Sequence, residues 1–98
     1  MMYWLSYDIE NDKIRTKVAK ILLKMGMERI QYSVFIGPLS ETSLKELETK
    51  IVSLYAENIA DSIFLLPLHQ DMIDTVKEIG KHKLDWAYLK GEKKCLIF

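Results

Sequence analysis

An α+β sandwich, with helices packed on one face of a small sheet, is the fold class this sequence predicts. Three observations predict it. Met2 to Ile9 alternates in polarity as a strand does, the next segment repeats its apolar residues at helical spacing, and the same succession recurs until an apolar strand at Ser62 to Leu68. The chain of 98 residues has 49% hydrophobic and 29% charged residues, the values of one ordinary globular domain. A single domain over residues 1–98 is expected, and a two-lobed cofactor enzyme is excluded by length.

In the first strand Tyr3, Leu5, Tyr7 and Ile9 share one side, and Trp4, Ser6 and Asp8 the other. Asn11-Asp12 supplies an N-cap for a first helix from about Asp12 to Met25, whose Ile14, Val18, Ile21, Leu22 and Met25 form one stripe. Gly26 offers the left-handed exit. From Arg29 to Gly37 alternation returns, with Ile30, Tyr32, Val34 and Ile36 opposite Arg29, Gln31, Ser33 and Phe35. A break near Gln31 would split this segment into two short strands. Ser40 caps a second helix carrying Leu44, Leu47, Ile51 and Leu54, with an acidic outer face, that ends near Tyr55 or Ala56. Ser62 to Leu68 is apolar on both faces and reads as a buried central strand. Gln70 to Ile79 reads as a short helix before a Gly80 turn, and Lys94 to Phe98 as a last strand closing a C-terminal segment over residues 81–98. The order is that of a ferredoxin-like βαββαβ sandwich with an extra C-terminal strand. Two helices cover one face of such a sheet, so a second copy of the chain in a two-fold dimer is expected on the other.

The net charge is zero, but its distribution is uneven. Six basic face four acidic side chains over residues 1–35, three face eight over 36–80, and five face two over 81–98. Basic ends on a neutral chain leave room for a local phosphate-binding face. The longest uncharged apolar run, Ile63 to Leu68, is far below the roughly 20 residues of a membrane-spanning helix, so no membrane partner is expected. No secretory signal is visible at Met1-Met2-Tyr3-Trp4, and the single Cys95 has no partner for an internal disulfide. A cytoplasmic protein is the expectation.

Asp8 ends the first strand on the side away from the helices, where sites in α/β proteins tend to be built. A capping or loop carboxylate is the alternative. One carboxylate is a poor Mg²⁺ site, and a two-fold axis that brings two Asp8 side chains together would repair the deficit. Lys13, Lys17, Lys20 and Lys24 follow at i, i+4, i+7 and i+11, one stripe about 60° wide that either tracks a phosphate backbone or is an ordinary solvated face. Arg15 and Arg29 are the only arginines, suited to bidentate phosphate contacts or to structural ion pairs with Asp8 or Glu10. Phe35 and Ser33, read on the face of Arg29, suit base stacking and a phosphate hydrogen bond, with burial of Phe35 in a dimer core as the alternative. His69 and His82 lack partners at zinc-ligand spacing.

Tyr7-Asp8-Ile9, Asp12, Arg15, Gly26, Arg29-Ile30-Gln31, Ser33-Val34-Phe35, Gly37 and the terminal Cys95-Leu96-Ile97-Phe98 form a recognisable string. Through it the chain closely resembles the CRISPR-associated protein two family, the small partner of the CRISPR integrase. That resemblance implies a ferredoxin-like homodimer with facing sheets, whose C-terminal strand pairs onto the partner's sheet. It implies Mg²⁺-dependent endonuclease activity on single-stranded RNA or duplex DNA for some members, and for others an adaptor role bridging the integrase subunit during spacer acquisition. Asp8 maps onto the family's magnesium-binding aspartate at the two-fold. Tyr7, Arg15, Arg29, Ser33 and Phe35 fall at positions lining the same cleft, and Lys17 sits where some relatives carry arginine. A non-catalytic duplex-DNA adaptor and a toxin-type ribonuclease on the same fold are the competing functions.

Overall fold

The computed structural model describes residues 1–55 and 61–80. Its elements run β1 (Met2–Asp8), α1 (Asp12–Lys24), β2 (Glu28–Gln31), β3 (Val34–Pro38), α2 (Glu41–Leu54), β4 (Ser62–Leu68) and α3 (Gln70–Asp74). The sheet order is β2-β3-β1-β4, every neighbouring pair antiparallel, which is the ferredoxin-like arrangement expected from the sequence.

Local chemistry sets the helices. The Asn11 side chain accepts from the Ile14 N–H at 3.0 Å, and the Ser40 hydroxyl accepts from the Ser43 N–H at 3.1 Å, so each first turn has one of its free donors satisfied. After α1 the chain reverses at Gly26, whose φ of 89° lies where side chains are strained, and the Met27 N–H returns to the Leu22 carbonyl at 3.1 Å. That return brings Met27 against β3. A Cβ at Gly37 would lie 2.8 Å from Met27 Cα, so only glycine permits the approach.

The apolar stripes of α1 and α2 pack on one side of the sheet. Leu5, Tyr7, Val18, Leu22, Phe35, Leu47 and Ile51 are buried in that core. The alternation of β1 is as expected: Leu5, Tyr7 and Ile9 are buried, while Trp4 and Asp8 are exposed.

Two expectations change and one open alternative is decided. The Arg29 to Gly37 segment is split near Gln31 into the two short strands of a hairpin, and the faces read beyond the break change with it. Its pairing runs Arg29 with Phe35 and then Gln31 with Val34, a register shift that places an extra residue in β2. One added residue moves everything beyond it to the opposite face. Arg29 and Phe35 therefore stay on the helix side, Gln31 joins Val34 on the open side, and Tyr32 and Ser33 form the turn.

Among the described strands Ser62–Leu68 lies at the sheet edge, not its centre, because β1 and β3 are the strands paired on both sides. Its apolar residues still divide between faces: Ile63 and Leu65 pack against the core, whereas Phe64 and Leu66 are 62% and 52% exposed.

The helix expected over Gln70 to Ile79 stops at Asp74. The N–H groups of Thr75 and Val76 bond three residues back, to Met72 and Ile73, and so tighten the last turn into the β-branched Thr75-Val76 pair instead of extending it. Through Ile73, α3 covers Met2 and Ile36 on the open side of the sheet. The expected strand at Lys94 to Phe98 lies outside the described residues.

Candidate functional site

The end of β1 gathers most of the residues singled out from the sequence, but divides them between the two sides of the sheet. Asp8 pairs with Ser62 of β4 and stands exposed on the open side. His69 follows Leu68, which pairs with Met2, so the imidazole lies at the opposite end of the sheet from Asp8. Among the described residues no three His, Cys, Asp or Glu side chains are grouped to hold a metal. The donor chemistry at Asp8 is nonetheless that of a Mg²⁺ ligand, a solvent-facing hard oxygen. Such an ion takes one or two carboxylates and keeps several waters.

Tyr7 faces the helices, as its alternation requires. Its ring stacks on Phe35 with centroids 6.2 Å apart and planes at 28°. Its backbone N–H donates to the Ser33 carbonyl at 3.1 Å, and its hydroxyl lies 3.5 Å from the Tyr32 carbonyl that accepts from it. Tyr7 thus ties the β2–β3 turn to the end of β1. Phe35 is fully buried, so its ring has no face to offer a base. Its expected stacking role is excluded within the protomer, because it lies in the core beneath the helices instead of in a cleft on the open face. Ser33 is a half-buried turn residue, not a member of the Arg29 face.

Neither arginine contacts Asp8 or Glu10. Arg15 donates from Nη1 to the Ile9 carbonyl at 2.8 Å and from Nη2 to the Asp12 carboxylate, closing the β1–α1 connection from within the first turn of α1. The Arg29 guanidinium lies 5.1 Å from the Phe35 ring centre and 5.3 Å from that of Tyr32. Its Nε is buried without a hydrogen-bond partner among the described residues. Arg15, Thr16, Lys20, Arg29 and Tyr32 line a cavity of about 250 Å³ between α1 and the β2–β3 turn. Lys13, Lys17, Lys20 and Lys24 are all exposed along α1. The helix side therefore carries the cationic groups, and the open side carries Asp8.

Two participants were not visible in the sequence. Tyr32 is 72% exposed at the tip of the turn. Alternation had placed it inside a strand, and only the register shift at Gln31 frees it. The Asp61 carboxylate accepts from the Tyr55 hydroxyl at 2.8 Å and from the Glu10 N–H at 3.4 Å, joining the end of α2 and the start of β4 to the loop that follows Asp8. Burial, then the hydrogen bond to Asp61 and its charge, push the Tyr55 hydroxyl up to about 12.

Known proteins match this chain along most of its length. The family described as CRISPR associated protein Cas2 matches residues 1–76. The CRISPR-associated endoribonuclease Cas2 1 of Archaeoglobus fulgidus is 33% identical over 91 residues, covering 93% of this chain and 96% of its own. A Cas2 endoribonuclease of Synechocystis is 50% identical over 85 residues, 86% of this chain and 90% of its own. Among solved structures, a hypothetical protein from Thermus thermophilus superposes with a TM-score of 0.70 at 30% identity, over 85% of this chain and 94% of that one. Streptococcus pyogenes Cas2 at pH 6.5 shares the fold, with a TM-score of 0.68 at 24% identity, over 82% of this chain and 100% of that one.

Proposed function

The chain belongs to the CRISPR associated protein Cas2 family, and from that premise we propose that it is a Mg²⁺-dependent endonuclease acting as a two-fold dimer in CRISPR adaptation. The observation that carries this reading is the position of Asp8, exposed at the end of β1 on the side of the sheet that the helices leave open. Apolar Phe64 and Leu66 stand on the same side. A second copy packed there would bury them and bring two Asp8 carboxylates to one axis. RNA is the favoured substrate class, since the relatives are named endoribonucleases, and the single strand is the form we propose.

Each residue then has a definite task. The two Asp8 carboxylates hold the ion, which when bound neutralises charge on the scissile phosphate and polarises water. Two like charges facing each other are costly without a cation or proton between them, so the dimer itself favours binding of the ion. Lys20 and Arg29 hold substrate phosphates, and the stripe of Lys13, Lys17 and Lys24 extends that contact along α1. Tyr7, Ser33 and Arg15 keep the turn and the β1–α1 connection in place through the hydrogen bonds above. Among the described residues no histidine is beside Asp8, and the reading is of a slow nuclease without a dedicated side-chain base. Bridging of the integrase subunit, with duplex DNA across the lysine stripe, is a further part of the proposed role. So is exchange of the C-terminal strand.

Asp8→Asn tests the reading. The substitution retains size and much of the hydrogen bonding but removes the charge that Mg²⁺ requires. Cleavage of single-stranded RNA and of duplex DNA, by wild type and variant, with Mg²⁺ or with chelator, is expected to fall at least a hundredfold in the variant. Dimerisation and nucleic-acid binding should persist. Equal cleavage by both proteins would place the activity elsewhere, and an inactive wild type under every metal condition would leave the duplex-DNA adaptor as the function.

A further inference from the structure

The cavity beside α1 contains more than cations. Tyr32 stands at its rim, 72% exposed at the tip of a two-residue turn, although a large aromatic ring in so wet a place gains little from folding. The turn that carries the ring is held in place. The Tyr32 backbone carbonyl accepts from the Tyr7 hydroxyl, the Ser33 carbonyl accepts from the Tyr7 N–H, and the Arg29 guanidinium lies 5.3 Å from the centre of the Tyr32 ring. Arg29 stands in turn against Phe35 in the core, and its buried Nε has no partner among the described residues. Thr16 and Lys20 of α1 form the opposite wall.

We propose that this cavity seats one unpaired nucleotide, its base stacked on Tyr32 and its phosphate held by Arg29 and Lys20. The inference rests on the nuclease reading for its biological meaning but not for its binding chemistry. An exposed aromatic face beside a positively charged groove is the combination that binds single strands, because every base has a stacking face and every nucleotide a phosphate. A duplex presents phosphates but keeps its bases in the stack, so it would use the lysines and bypass Tyr32. Tyr7 pairs with Ser33, which places the seat at the end of the sheet where β1 finishes in Asp8. A single strand leaving the Asp8 side needs only to round that end of the sheet to reach it. Arg15 takes little part, since its guanidinium is engaged by Ile9 and Asp12.

The test is binding of a short oligoribonucleotide containing 2-aminopurine, measured in chelator on the Asp8→Asn background so that nothing is cleaved. Tyr32→Ala is expected to weaken binding about tenfold and to abolish the quenching of 2-aminopurine that stacking produces. Tyr32→Trp should retain both, because the ring and not the hydroxyl is used. Affinity for duplex RNA of the same sequence should stay within twofold of the parent. Thermal melting should be unchanged, as the ring is outside the core. Unaltered single-strand affinity in Tyr32→Ala would overturn the seat, as would equal losses for single strand and duplex. Wild-type cleavage is measured separately: an inactive wild type with Tyr32-dependent quenching would remove the nuclease reading and leave the seat standing.

Discussion

The two sides of the sheet have nearly the same apolar content and opposite fates. On the helix side, Leu5 and Phe35 disappear beneath α1 and α2, in one core that also takes Tyr7, Val18, Leu22 and Leu47. On the open side, Trp4, Phe64 and Leu66 remain exposed, and α3 covers only the corner formed by Met2 and Ile36. The difference teaches that hydrophobic patterning specifies what must be buried, not which molecule buries it. In this chain the exposed apolar face and the exposed carboxylate of Asp8 coincide, as the proposed two-fold dimer requires.

That contrast can be broken from either side, and the largest effect is expected at Phe35. Phe35→Ala removes a fully buried ring that stacks on Tyr7 and underlies Arg29, and it should cost about 3 to 5 kcal/mol of protomer stability. Urea denaturation measures it. A loss below 1 kcal/mol would mean that the helix side is not the core that sustains the fold.

Phe64 and Leu66 should behave in the opposite sense. Replacing both with Ser deletes apolar surface that the protomer leaves in water, so secondary structure should be retained while self-association weakens at least tenfold. Sedimentation of wild type and variant across micromolar concentrations is the measurement. Equal association would place any dimer contact on another surface.

A smaller, graded effect is expected on the outer face of α1. Substituting Glu for Lys13, Lys17, Lys20 and Lys24 should lower the salt dependence of duplex binding by up to about 4 in the slope of log K against log salt, since each phosphate contact contributes about 0.9. The fold should survive, because all four side chains are exposed. An unchanged slope would reduce the stripe to a solvated surface.

The smallest effect concerns Tyr55, whose bond to Asp61 ties the end of α2 to the start of β4. Burial, then the hydrogen bond to Asp61 and its charge, hold the proton more tightly in the folded chain, so the hydroxyl is pushed up to about 12. The stabilisation from this hydroxyl is complete below pH 10 and is lost as pH rises through 12. Thermal melts from pH 9 to 12 should decline more steeply for wild type than for Tyr55→Phe. Parallel curves would show that the hydrogen bond to Asp61 makes no difference to stability.

Much of this was legible in the residues alone, and the limits of legibility have a common cause. The spans of α1 and α2, their caps at Asn11 and Ser40, the turn at Gly26 and the outward direction of Asp8 all follow from patterns within a few residues of one another. The interactions that enforce those patterns are equally local. The family resemblance is carried by the same short strings, and it correctly indicated both the family and the ferredoxin-like fold. Strand order is another matter. Ser62 to Leu68 reads as central because both faces are apolar, yet its place at the edge depends on which strands bond to β1, and side-chain polarity does not encode that.

The register shift at Gln31 had the widest consequences. A single extra residue, located only when β2 is set against β3, moved Gln31 to the open side and left Tyr32 exposed in the turn, while Phe35 kept the side of Arg29 and of Leu5, its partner in β1. Arg15 was recognisable as a cation near the start of α1, but its choice of Asp12 and the Ile9 carbonyl over Asp8 or Glu10 was made by the path of the β1–α1 connection. The succession from β1 to β4, the two long helices and the exposed carboxylate at the end of β1 were legible in the residues, because periods of 2 and 3.6 residues are read within one element. Only the tertiary structure decided which groups share a side of the sheet, because that depends on pairing between strands far apart in the chain, where one residue of shift reverses a face.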